Sequence, residues 1–213
     1  SCKDENGNTL GGCNHGFDFE NNDLTPLPDS SSHGTHIAGT IAAEINNGKG
    51  IIGVAPKTKI MALKFGLDTF SEEKAIDFAI QNGAKIINAS FGGTDYSASE
   101  YDAINRFKSA GGIFVASAGN CGDINTYMYN GCTSQNQALY PASYDLLNIV
   151  SVAATDQNDG LASFSNYSST SVDVGAPGVD IYSTGFLTED FTNASIPDFT
   201  NTIFTKTEGG WRT

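Results

Sequence analysis

Apolar runs of strand length alternate with amphipathic stretches of helix length along most of this chain, and that alternation restricts the fold more than any other feature. Residues 59–65, 85–90, 112–118 and 147–153 suit buried strands, and 172–175 reads as a fifth. Residues 71–82 carry Ala75, Ile76, Ala79 and Ile80 on one helical face. Ser71 is the expected N-cap there, Glu72 and Glu73 fall in the first turn, and Gly83 ends the helix. Ser97-Ala98-Ser99-Glu100 has the form of a capping box and opens a second helix that closes at Gly111-Gly112. Strands joined in this way predict an α/β fold: a doubly wound, mostly parallel sheet with helices on both faces, in one domain over residues 1–213. Residues 1–32 read as loop, with Asp4, Asn6 and Asn8 forming a solvated turn, and residues 185–213 as a long loop or hairpin.

In open parallel sheets, ligands collect at the carboxyl ends of the strands. Three glycine-bearing loops fall there: Ser90-Phe91-Gly92-Gly93, Ser117-Ala118-Gly119-Asn120 and Gly175-Ala176-Pro177-Gly178. An Asn after a strand and a glycine can donate a hydrogen bond to an oxyanion forming in a cleft, or can simply make a turn. Ser90 to Gly93 leaves its strand with little bulk and suits an edge that pairs with an extended peptide.

Upstream lies Ser32-His33-Gly34-Thr35-His36-Ile37-Ala38-Gly39-Thr40. A histidine at a helix start suits a general base, because imidazole titrates near neutrality. It also suits a plain helix cap, so His33 alone does not decide. Gly34 and Gly39 each cost a helix about 1 kcal/mol against Ala, and glycine inside a helix points to a close approach to its backbone.

Charge removes other classes. Only 11 Lys and Arg oppose 24 Asp and Glu, a net charge of −13, so neither nucleic acid nor an anionic membrane is an expected partner. No apolar run reaches the ~18 residues of a membrane span. The four cysteines fall as Cys2/Cys13 and Cys121/Cys132, each pair bracketing a Gly/Asn-rich loop. Of the three possible connectivities the local one is favoured, each bond contributing about 3 kcal/mol, which predicts a secreted, extracellular or periplasmic setting.

The blocks occur in a telling order. His33-Gly34-Thr35-His36-Ile37-Ala38-Gly39-Thr40 is followed by Gly53-Val54-Ala55-Pro56, Asn88-Ala89-Ser90-Phe91-Gly92-Gly93, Ala116-Ser117-Ala118-Gly119-Asn120, Tyr140-Pro141-Ala142-Ser143 and Ala176-Pro177-Gly178-Val179. From about Gly16 to Thr184 the chain resembles the subtilisin-like serine proteases. That resemblance implies a serine endopeptidase acting on extracellular polypeptides. It implies that His33 is the base and Asn120 the oxyanion-hole amide. Ser90, Phe91, Gly92 and Gly93 would form one wall of the specificity pocket, and Ala116, Ser117, Ala118 and Gly119 the other. It also implies a structural calcium ion bound by the Asn47 side chain and the carbonyls of Ile45, Lys49 and Ile51, a hard-oxygen set of the kind Ca²⁺ takes. The family's further acidic ligand is not in this chain.

The family's Asp-(Ser/Thr)-Gly and Gly-Thr-Ser-Met-Ala motifs do not occur in the 213 residues either, and no Gly-x-Ser-x-Gly elbow replaces them. The chain reads as the central part of the catalytic domain, inactive by itself, completed by the remaining parts of the same protease or assisted by a pro-segment. The alternatives are a non-catalytic peptide-binding module of the same fold, and a metal hydrolase using His33, His36 and His15, which lacks the His-Glu-x-x-His pattern.

Overall fold

The computed structural model describes residues 2–10, 12, 15–28, 31–122 and 131–185. The chain divides into two compact units, each discontinuous in sequence. The first draws on Ser1–Pro26 and Met61–Val179; the second includes Leu27–Ile60 and the chain from Asp180 onward.

The first unit is built on parallel strands. β1 (Gly16–Asp18) pairs with β2 (Ala62–Lys64). β3 (Ile86–Ala89), β4 (Ile113–Ser117), β5 (Ile149–Thr155) and β6 (Val174–Pro177) form a four-stranded sheet in sequential order, every pair parallel. Helix α2 (Thr69–Gln81) connects the two-stranded sheet to the four-stranded one, and α3 (Ala98–Ser109) supplies the crossover from β3 to β4. Ile76 from α2, with Ala103, Ile104 and Phe107 from α3, packs in one core with Phe114 and Ala116 of β4 and Ile149 of β5. The α/β class with parallel sheets and helices is therefore as expected. β1 is not: it lies in a region that reads as loop from sequence, and it exists because Gly16 to Asp18 find a partner in Ala62 to Lys64.

Asp18, at the end of β1, is buried. It accepts hydrogen bonds from the Glu20 N–H (2.8 Å), the Asn21 N–H (3.0 Å) and side chain (2.9 Å), and Lys64 Nζ (2.9 Å). Burial alone would raise its pKa. These donors outweigh burial and hold it down at about 2.

The starts of these two helices match the sequence expectation only in part. The N-cap of α2 is Asp68, whose carboxylate accepts the Ser71 N–H at 2.9 Å; Ser71 lies inside the helix. Ser97 does cap α3, accepting the Glu100 N–H at 3.3 Å. The reciprocal half of the box is missing, because the Ser97 N–H goes to the Tyr144 hydroxyl at 3.1 Å. Glu100 turns inward instead and meets that hydroxyl at 2.5 Å. Glu72 of α2 reaches the same place and hydrogen-bonds to Glu100. Both acids are buried. Burial first, then the charge and hydrogen bond of Glu100, push Glu72 up to about 9. Burial also raises Glu100, with the Tyr144 and Glu72 hydrogen bonds pulling it back. Two buried carboxyls thus share one site, and burial with their mutual repulsion favours keeping a proton between them. On the outside, Arg106 grips Asp77 with both fork nitrogens, at 3.0 and 2.9 Å.

In the second unit, helix α1 runs from His33 to Ala42. Its exposed last carbonyls are capped by the returning chain: Gly53, Val54 and Ala55 donate to Ala43 (3.0 Å), Thr40 (3.0 Å) and Ile41 (2.7 Å). The expectation for residues 185–213 lies outside the described residues from 186 onward.

Candidate functional site

His33 is the first residue of α1 and is half-buried; its backbone N–H bonds to Ser31 Oγ at 3.2 Å. Burial, and secondarily the charge of His36, lower its pKa. An imidazole so shifted is neutral at pH 7, the state a general base needs. His36, one turn on, is 1% exposed, and burial lowers it too, offset by a hydrogen bond with the Ile181 backbone.

The glycine expectation splits in two. A Cβ on Gly39 would overlap Thr184 Oγ1 and come 2.6 Å from Ser183 Oγ. Those hydroxyls bond the helix directly, Ser183 to the His36 carbonyl at 2.6 Å and Thr184 to the Thr35 carbonyl at 2.7 Å. Gly39 is what lets that segment lie on the histidine helix. Gly34 has open space around it.

The loop after α1 borders a shallow, open hollow of about 420 Å³ lined by residues 44–52. Asn46, Gly48 and Gly50 take left-handed backbone angles there, and the Asn47 side-chain oxygen accepts the Lys49 N–H at 3.0 Å. Among the described residues no backbone N–H bonds to the carbonyls of Ile45, Lys49 or Ile51. The donor set is all oxygen and fits calcium in kind, but supplies four of the ~6–8 ligands that Ca²⁺ takes. No cluster of three or more acidic, His or Cys ligands occurs among the described residues.

In the first unit, the register of β3 and β4 sets Ala89 opposite Ala116, so the two candidate walls leave adjacent strands side by side. Phe91 packs edge-on against Phe65 (5.4 Å between centroids), and Ser90 Oγ accepts the Asn88 amide at 2.9 Å. The Gly93 N–H donates to the Tyr140 carbonyl at 2.9 Å and its C=O accepts the Tyr140 N–H at 2.8 Å, so substrate backbone cannot take the Gly93 N–H.

Beyond β4, the Ala118 N–H bonds to the Val152 carbonyl at 2.9 Å and the chain turns at Gly119, φ +110°. Gly119 is required twice over, since a Cβ would also overlap Leu139 Cδ1. Asn120 follows, half-buried at the carboxyl end of the sheet. Cys121 is joined to Cys132 with a Cα separation of 5.6 Å, and the pair packs with Leu139. Cys13 lies outside the described residues. His33 and Asn120 belong to different units. Sequence reading passed over Asn166, whose buried amide bonds to the turn around Asn120.

A family model described as "Subtilase family" matches residues 10–209. The chain belongs to the subtilase family. This subtilase is 44% identical over 174 residues to the thermophilic serine proteinase of Bacillus sp. (strain AK1), covering 79% of this chain and 39% of that protein. Thermitase of Thermoactinomyces vulgaris is 43% identical over 174 residues (79% of this chain, 57% of thermitase). Subtilisin DY of Bacillus licheniformis is 40% identical over 161 residues (73% of this chain, 54% of that protein). The subtilase chain in hand thus spans roughly two-fifths to three-fifths of these relatives. No helix among its described residues is long and apolar enough to cross a membrane.

Proposed function

We propose that this chain is part of a secreted subtilisin-like serine endopeptidase and carries its general base, His33, and its oxyanion donor, Asn120. The carrying observation is that one chain, in the family's order, holds a half-buried histidine at a helix start and an asparagine just past a parallel strand, behind a glycine of positive φ. In the proposed reaction a serine hydroxyl, supplied from outside these 213 residues, attacks the peptide carbonyl carbon. His33 accepts the hydroxyl proton as the bond forms, and the Asn120 amide donates to the oxygen as it becomes negative. His33 then returns the proton to the amine nitrogen as the C–N bond breaks; water enters by the reverse sequence. Ser90 to Gly92 and Ala116 to Gly119 wall the substrate cleft. Asn47, with the carbonyls of Ile45, Lys49 and Ile51, would contribute to a calcium site whose chemistry is structural, cross-linking the loop after the histidine helix. The disulfides Cys2–Cys13 and Cys121–Cys132 accord with an extracytoplasmic setting.

The test is fluorophosphonate labelling and peptide hydrolysis by the complete protease containing this segment. One labelled serine outside residues 1–213 is expected. His33→Ala should lower kcat by about 10⁶, the scale measured in a subtilisin, and Asn120→Ala by about 10²–10³. A labelled serine within residues 1–213, or peptide binding without turnover in the complete protein, would overturn the assignment.

A further inference from the structure

An oxyanion donor works because it is already aimed when charge develops, so whatever holds it contributes to rate. If Asn120 is that donor, as proposed above, its aim depends on the peptide groups either side of it. Both are tied to a single residue 45 positions later in the chain. The Asn166 side-chain oxygen accepts the Cys121 N–H at 2.6 Å, and the Asn166 backbone N–H donates to the Gly119 carbonyl at 2.8 Å. Asn166 Nδ2 donates to the Gln137 carbonyl at 3.0 Å. Asn166 is 2% exposed, so water does not compete for these bonds.

The partners fix the amide orientation: a backbone N–H demands an acceptor on one side, and a carbonyl demands a donor on the other. Only a carboxamide meets both without charge. An aspartate would keep the acceptor and set a carboxylate oxygen against the Gln137 carbonyl. A leucine would fill the space and satisfy neither. The Cys121–Cys132 bond and the cover of Leu139 hold the same turn from other directions, so the turn that carries Asn120 is braced on more than one side.

We propose that Asn166 is a positioning residue for catalysis: by clamping Gly119 and Cys121 it holds Asn120 in donating geometry. It does not touch substrate, and acts only through Asn120.

A double-mutant cycle in the complete protease tests this, with rates normalised to active sites titrated by fluorophosphonate. Asn166→Leu should lower kcat roughly tenfold to a hundredfold with KM little changed, because a displacement near 1 Å costs that much. In an Asn120→Ala background the same change should cost less than about threefold, since no donor is left to misaim. Should Asn166→Leu fail to fold, Asn166→Ser enters the same cycle, being too short to reach the Cys121 N–H. An equal loss in both backgrounds, or a change confined to KM, would overturn the positioning role while leaving Asn120 as donor. If Asn120→Ala itself leaves kcat unchanged, the reading of Asn120 falls first and the two failures are told apart.

Discussion

Glu72→Gln should make the protein more stable, and increasingly so as pH rises. In the native state Glu72 keeps its proton up to about pH 9, while an exposed glutamate has a value of 4.5. Unfolding between those limits releases one proton. The group's folded pKa is raised, so its contribution is full below about 4.5 and declines as pH climbs toward about 9. One proton corresponds to about 1.4 kcal/mol per pH unit, or about 3 kcal/mol between pH 6 and pH 8. Glutamine has nearly the same shape, donates to Glu100 as the protonated acid does, and does not titrate. The advantage of Glu72→Gln over the parent, from urea unfolding at fixed calcium, should therefore grow by about 3 kcal/mol from pH 6 to pH 8. Parallel stability profiles for the two proteins would refute the shared-proton account, and so would a variant less stable throughout.

Gly39→Ala and Gly34→Ala should move thermal stability in opposite directions. The first forces Thr184 off the helix and should cost about 1–3 kcal/mol despite a better helix former, while the second fills open space and should gain up to about 1 kcal/mol; two equal shifts would contradict the close approach at Gly39. Calcium at millimolar concentration should raise the melting temperature relative to chelator, and Asn47→Ala should reduce that increment; an increment untouched by the substitution would place the ion elsewhere. The small residues of the proposed cleft walls predict a broad preference for apolar or aromatic P1 side chains, and a peptide library cleaved strictly after Arg or Lys would reject it.

The parallel sheet was legible because β3, β4 and β5 each fall in a short apolar run, and in β4 and β5 buried residues alternate with more exposed ones. β1 was not, since three residues of Gly-Phe-Asp carry no period and become a strand only against β2. Helix α3 kept its Ser97 cap, yet Glu100 left the capping box for Tyr144 and Glu72, partners from other segments that no local pattern announces. His33 and Asn120 stood out because each sits in a dense block of small residues. Asn166 stands in a Ser-Asn-Tyr-Ser loop like many others, and its use depends on a backbone 45 residues away. The Gly93 contact with Tyr140 is of the same non-local kind.

The bonds that fasten the histidine helix have a bearing on the order of events during synthesis. Ser183 and Thr184 reach back over sequence separations of 147 and 149 residues to hold the carbonyls of His36 and Thr35. At about 5–20 residues per second, a ribosome needs roughly seven to thirty seconds to deliver them after the helix itself. Through that interval α1 has its sequence and lacks its clasp, and closing so wide a loop is slow. The nascent chain thus carries helix α1 unclasped until all four strands from β3 to β6 have been made.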